Sequence, residues 1–157
     1  MGVSAPSRGR LARAIVTFDG AAGTGATGAV TIFTVTGRIA VDQISVFCTT
    51  GLTTTTTGSI SLGTTTNVAR FLALLAATAG DHPIDTNEWW ASGTPTAGSI
   101  DTTSASGGAT DLSGILVSEN VIFDITVADF TAGVLEVYMR YEPLSANAAV
   151  TTAWPTQ

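Results

Sequence analysis

Alternation of apolar and polar residues, carried largely by β-branched side chains, constrains this chain more than any other feature of its sequence. A period of two lines one face of a pleated strand, whereas an amphipathic helix needs a period near 3.6. Asn120–Ala128 and Val134–Glu142 are the clearest such runs, and the short linker Asp129–Gly133 between them holds a glycine, as a hairpin requires. Ala14–Asp19 predicts a first strand and Ala29–Thr36 a second, broken by Gly37. From Arg38 to Thr49, Ile39 and Val41 set one phase, then Ile44, Val46 and Cys48 set the other. A phase flip at Asp42–Gln43 calls for a β-bulge or a strand that switches sheets. Gly58–Gly63 is a short strand after the turn Thr53–Thr57, and Val68–Ala77 reads as strand rather than helix because strands flank it. No stretch forms a persuasive amphipathic helix.

Seven or eight strands with turn signals between them predict an all-β, single-domain β-sandwich, with a jelly roll as the leading topology. A chain of 157 residues fits one such domain. Its expected limits are 14–144, preceded by a basic extended arm over 1–13 and followed by a weakly structured tail over 145–157 that ends in an anchorable Trp154. Between the strands, Asp81–Gly114 is a long excursion rich in Gly, Ser, Thr, Pro and Asp that carries Trp89 and Trp90. Loops of that length usually bind something.

Charge divides the chain unevenly. It has no lysine, and three of its six arginines, Arg8, Arg10 and Arg13, lie in the first thirteen residues. The remainder sets Arg38, Arg70 and Arg140 against all twelve acidic residues, a formal charge of −9. An arm with so little apolar mass does not fold alone, and an acidic partner suits it. Charged residues make up only 11% of the whole, against about 25% in ordinary domains. Interface cores are depleted in charge, which favours an oligomer or lattice component over a monomer with a neutral, hydroxyl-rich surface. Neither a transmembrane helix nor a secretory signal is legible: the longest apolar stretch, Val68–Ala79, is short and holds Arg70. Cys48, the single cysteine, sits in an apolar alternation and reads as a small buried hydrophobe.

Catalytic signatures are mostly refused. Gly23, Gly25 and Gly28 spell G-x-G-x-x-G after a strand, but a strand follows where the dinucleotide fingerprint needs a helix. A P-loop requires a lysine the chain lacks. His82 is the only histidine, with no nucleophile motif to serve, and Gly80–Glu88 gathers oxygen ligands without calcium-loop spacing. No catalytic residue, cofactor site or metal site is therefore expected, and a pI near 4.4 without lysine argues against nucleic acid. Trp89 and Trp90 have two functional readings, a sugar-stacking platform or an interface anchor. The plain structural one is that one tryptophan is core and the other covers it.

Several phrases resemble small virion structural proteins of tailed bacteriophages: Phe33-Thr-Val-Thr-Gly-Arg-Ile-Ala-Val-Asp-Gln-Ile, Gly58-Ser-Ile-Ser-Leu-Gly-Thr, Glu88-Trp-Trp, and Tyr138-Met-Arg-Tyr-Glu-Pro-Leu-Ser-Ala-Asn. The likeness runs from about Ala14 to Val150, and the nearest kind is the capsid decoration, or cement, protein. It implies a β-sandwich or jelly-roll body, a homotrimer on the outer face of the head, made in the host cytoplasm, and an arm that reaches across the major capsid protein. Chemistry then nominates Arg8, Arg10 and Arg13 for the capsid contact, and Trp89, Trp90 and Trp154 for a subunit interface or ligand. The rival is a carbohydrate- or receptor-binding module of a head or tail fibre.

Overall fold

The computed structural model describes residues 9–77, 82–91, 94–98 and 114–156. These form eleven strands and no helix: β1 (Arg10–Thr17), β2 (Gly28–Thr36), β3 (Ile39–Thr54), β4 (Ser59–Thr64), β5 (Leu72–Ala76), β6 (Glu88–Trp90), β7 (Thr96–Ala97), β8 (Ile115–Val117), β9 (Val121–Thr126), β10 (Phe130–Pro143) and β11 (Ala149–Thr151). They make two antiparallel sheets. Sheet A runs β1-β10-β3-β6-β7, with β8 also on β3, and sheet B runs β11-β2-β9-β4-β5. Their inward residues share one core, in which Trp90 and Phe18 of sheet A's side meet Phe123 of sheet B.

The phase flip in β3 is a bulge. Gln43 pairs with Arg140 and Val41 with Tyr141, so Asp42 is the extra residue and the strand stays in one sheet. That single insertion lets Ile39 and Val41 face the core on one side of it, and Ile44, Val46 and Cys48 on the other.

Val68–Ala77 yields a strand only over Leu72–Ala76, because Asn67, Val68 and Arg70 are drawn into a turn closed by Thr64 and Asn67. Part of the long excursion is strand too: β6 and β7 lie within it and extend sheet A.

The two clearest runs do not form a hairpin. β9 belongs to sheet B and β10 to sheet A, so the short glycine-bearing linker crosses between sheets. Its tight start explains how. The Ala128 amide donates to the Thr126 carbonyl at 2.9 Å around Val127 with φ 73°, a γ-turn of the rarer, strained hand that turns Val127 out to solvent. The β1–β2 connection crosses at the same end. Its Gly25 carbonyl accepts from the Phe130 amide at 2.8 Å, and a Cβ there would lie 2.3 Å from the Phe130 carbonyl. Close approach to this backbone, and not a phosphate, is what that glycine serves.

Both ends of the expected domain shift. β1 starts at Arg10 rather than Ala14 and pairs with β10 along its whole length, so Arg10–Arg13 are sheet and not arm; Arg8 lies outside the described residues. The tail is held as well. β11 pairs with β2, the Trp154 indole donates to the Thr31 carbonyl at 2.8 Å, and the Ile15 amide donates to the Pro155 carbonyl at 2.8 Å. This segment leaves sheet B and covers the free edge of sheet A.

Candidate functional site

The outward face of sheet A gathers the side chains that the polar phase of its strands leaves over. Leu135, Val137 and Met139 of β10 point into the core, so Glu136, Tyr138 and Arg140 point out. Register then builds three rows across the strands. Leu11, Arg140 and Gln43 form one, Arg13, Tyr138 and Ser45 the next, and Ile15, Glu136, Phe47 and Trp89 the third.

Aromatic contacts bind the third row to the second. Trp89 lies 4.8 Å from Phe47 and 5.9 Å from Tyr138, centroid to centroid, and the Arg13 guanidinium sits 5.4 Å above the Tyr138 ring. Arg13 Nη2 donates to Glu136 Oε2 at 2.8 Å, Arg13 Nη1 to the Thr156 carbonyl at 3.2 Å, and the Tyr138 hydroxyl also donates to Glu136. Burial pushes the Glu136 carboxyl up, but the Tyr138 hydroxyl and Arg13 together outweigh it and hold the group below its ordinary range. Tyr138 moves the opposite way: burial first, then the Glu136 carboxylate, raise its hydroxyl. Three side chains thus brace one another on one side of the face, although Arg13 Nε is buried without a hydrogen-bond partner among the described residues.

Beside this knot lies a groove of about 380 Å³ lined by Gly9, Leu11, Gln43, Ser45, Tyr138 and Arg140. Leu11, at 70% exposure, forms one wall. The groove has a different character from the knot, because Gln43, Ser45 and Arg140 make no side-chain hydrogen bond or ion pair with any described residue.

The nominated residues separate. Trp90 is fully buried and stacks on Phe123 at 6.5 Å and 9°, which makes it core and removes it as a ligand platform or interface anchor. Trp89 does not cover it; adjacent strand residues face opposite ways, and Trp89 stands on the outer face. Trp154 packs on the core's margin and clasps the tail to β2, a structural post. Arg13 is consumed by Glu136, and Arg10 opens β1. Phe47, Glu136, Tyr138, Gln43, Ser45 and Arg140 escaped nomination. Their signal was available in Val134–Glu142, where a tyrosine and an arginine occupy the polar phase of a strand.

Chemistry elsewhere is sparse. His82 Nδ1 donates to the Leu52 carbonyl. Among the described residues no group of three His, Cys, Asp or Glu is placed to hold a metal ion, and no helix is long and apolar enough to cross a membrane. Burial pushes the Cys48 thiol up from 9.0 to about 11, which leaves it protonated and unreactive at neutral pH. Comparison with protein-family models, with curated proteins and with solved structures returns no match.

Proposed function

We propose that this chain is a non-enzymatic virion structural protein, a jelly-roll sandwich that binds the outer capsid surface and stabilises the head as a decoration protein. The observation that carries the reading is the outer face of sheet A. It holds Trp89, Phe47, Tyr138 and Arg13 in fixed contact, beside an exposed Leu11. Tryptophan, tyrosine and arginine are the residues that dominate protein–protein contacts, and here they are ordered before any partner arrives. The strand order supports a jelly roll, since β1-β10-β3-β6 opposes β2-β9-β4-β5 and each sheet interleaves early and late strands.

In this reading the major capsid protein is the partner and the protein acts as a homotrimer. Arg8, one of the three arginines expected to meet the capsid, lies outside the described residues, while Arg10 and Arg13 serve the sheet. Repeated weak contacts from each subunit add through effective concentration. Imaging of the intact particle tests the proposal directly. Density for this fold is expected over the outer shell in high copy, with sheet A toward the capsid; a handful of copies on a fibre or tail would overturn it and favour the carbohydrate- or receptor-binding module, which the open groove beside Tyr138 supports.

A further inference from the structure

We infer that the groove between Leu11 and Gln43 is a binding site for one unit of an acidic saccharide, a sugar ring that carries a carboxylate. The site is one of the free chain: the groove lies on the face that the proposed function turns toward the capsid, so a sugar and the capsid would compete for it. Three polar side chains converge there, Arg140 from β10 and Gln43 and Ser45 from β3, and none is committed to a described residue. Their neighbours differ: the Tyr138 hydroxyl and Arg13 are both spent on Glu136. Strand register holds these three polar side chains around one groove, the convergent arrangement of polar groups that a small-ligand site uses.

The chemistry of the three selects the ligand. Among the described residues that line the groove Arg140 alone is charged, and its planar fork matches a carboxylate. Gln43 and Ser45 each donate and accept, as sugar hydroxyls do. Two positions apart on one strand, they stand about 7 Å from each other, within the span of a hexose and its substituents. Leu11 supplies an apolar wall for the C–H face of the ring, and the groove's volume of about 380 Å³ suits one or two rings. A peptide's aspartate or glutamate would also satisfy Arg140, with backbone amides for Gln43 and Ser45, so the glutamate peptide is the competitor that the test includes. Asp42, the bulge residue, stands exposed near the groove's end and can take a hydroxyl proton, which a sugar offers and a simple carboxylate does not. The Tyr138 ring is occupied by Arg13 and Trp89, so it forms a wall rather than a stacking platform.

The test uses the full chain, titrated by two-dimensional NMR and calorimetry with three probes. These are a glucuronic-acid-containing disaccharide, its neutral counterpart with a hydroxymethyl group in place of the carboxylate, and a short glutamate-rich peptide. The acidic disaccharide should bind saturably and shift the amides of Gln43, Ser45 and Arg140, about tenfold tighter than the neutral one. Arg140→Gln should erase that tenfold preference and leave the weak affinity for the neutral sugar unchanged. Gln43→Ala should weaken both sugars together. Absence of saturable binding at millimolar sugar, shifts that map elsewhere, or an undiminished preference in Arg140→Gln would overturn the site. A glutamate peptide that binds as tightly as the acidic sugar would overturn the assignment to a saccharide. Both variants alter outward-facing side chains, and their circular dichroism should match the parent's.

Discussion

The outward faces of the two sheets have been finished in opposite ways. Sheet B covers part of its own. Ser61 of β4 points away from the core yet is buried, because the turn from Thr64 to Phe71 folds back across it and the Ser61 hydroxyl donates to the Val68 carbonyl at 2.8 Å. Gly63 sits under the same turn, where a Cβ would lie 2.2 Å from the Asn67 carbonyl. The tail touches both sheets, clasping β2 through Trp154 and running along the β1 edge. Sheet A has no turn folded across its outer face among the described residues. It carries large aromatic and charged side chains that brace one another, with an open groove beside them. The turn braces the part of sheet B that it covers, whereas the half-buried aromatics of sheet A stand on a face with no such turn among the described residues.

The sharpest way to break this contrast is the tryptophan pair. Trp90→Ala empties a fully buried site and should cost about 3–5 kcal/mol of stability. Trp89→Ala, one residue away on the open face, should cost no more than about 1.5 kcal/mol. Urea unfolding of the two variants reads both; equal losses would mean that the outer aromatic row is structural rather than reserved for a partner. Next in size is Gly63→Ala. The added methyl meets backbone of the covering turn and not a flexible side chain, so a loss of about 1–3 kcal/mol is expected, together with faster amide exchange over Thr64–Phe71. An unchanged melting temperature would show that the turn does not press on sheet B as tightly as its geometry implies.

A smaller effect probes the braced knot. Because Glu136 is held below its ordinary range in the folded protein, the unfolded chain binds that proton more readily. The stabilisation is complete above the ordinary carboxylate value of 4.5 and is lost as pH falls through the depressed one. Glu136→Gln should therefore cost about 1 kcal/mol at neutral pH and nothing in strong acid, measured as the difference between two stability–pH curves. The smallest effect belongs to the core beneath. The Cys48 thiol is raised, so its contribution is intact below 9.0 and fades as pH climbs toward about 11. Cys48→Ala should flatten that part of the alkaline decline, and a variant with the parent's slope would assign the decline to other groups.

How much of this could be read in the residues differs element by element. The bulge at Asp42 was legible because one inserted residue flips every side chain after it, and the flip is written in Ile39, Val41, Ile44 and Val46. The crossing at Val127 was not. Alternation says which face a residue takes but not which sheet holds it, and a short glycine-bearing linker suits a hairpin and a corner alike. Arg13 misled for a related reason: its partner Glu136 stands 123 positions away, and nothing local distinguishes a cross-strand arginine from one on an arm. The groove was invisible as a site because Gln43, Ser45 and Arg140 meet only through strand register.

That register also sets a clock. In each sheet the strand between the early ones arrives late: β10 lies between β1 and β3, and β9 between β2 and β4. Neither sheet closes until a segment far downstream of its first strand finds its slot, as Arg10↔Tyr141 and Gly28↔Ile125 show, and pairings so distant in sequence form slowly, on the order of milliseconds to seconds. Glu136, Tyr138 and Arg140 all ride on β10, so a chain in which that strand has not yet paired lacks this outer face altogether.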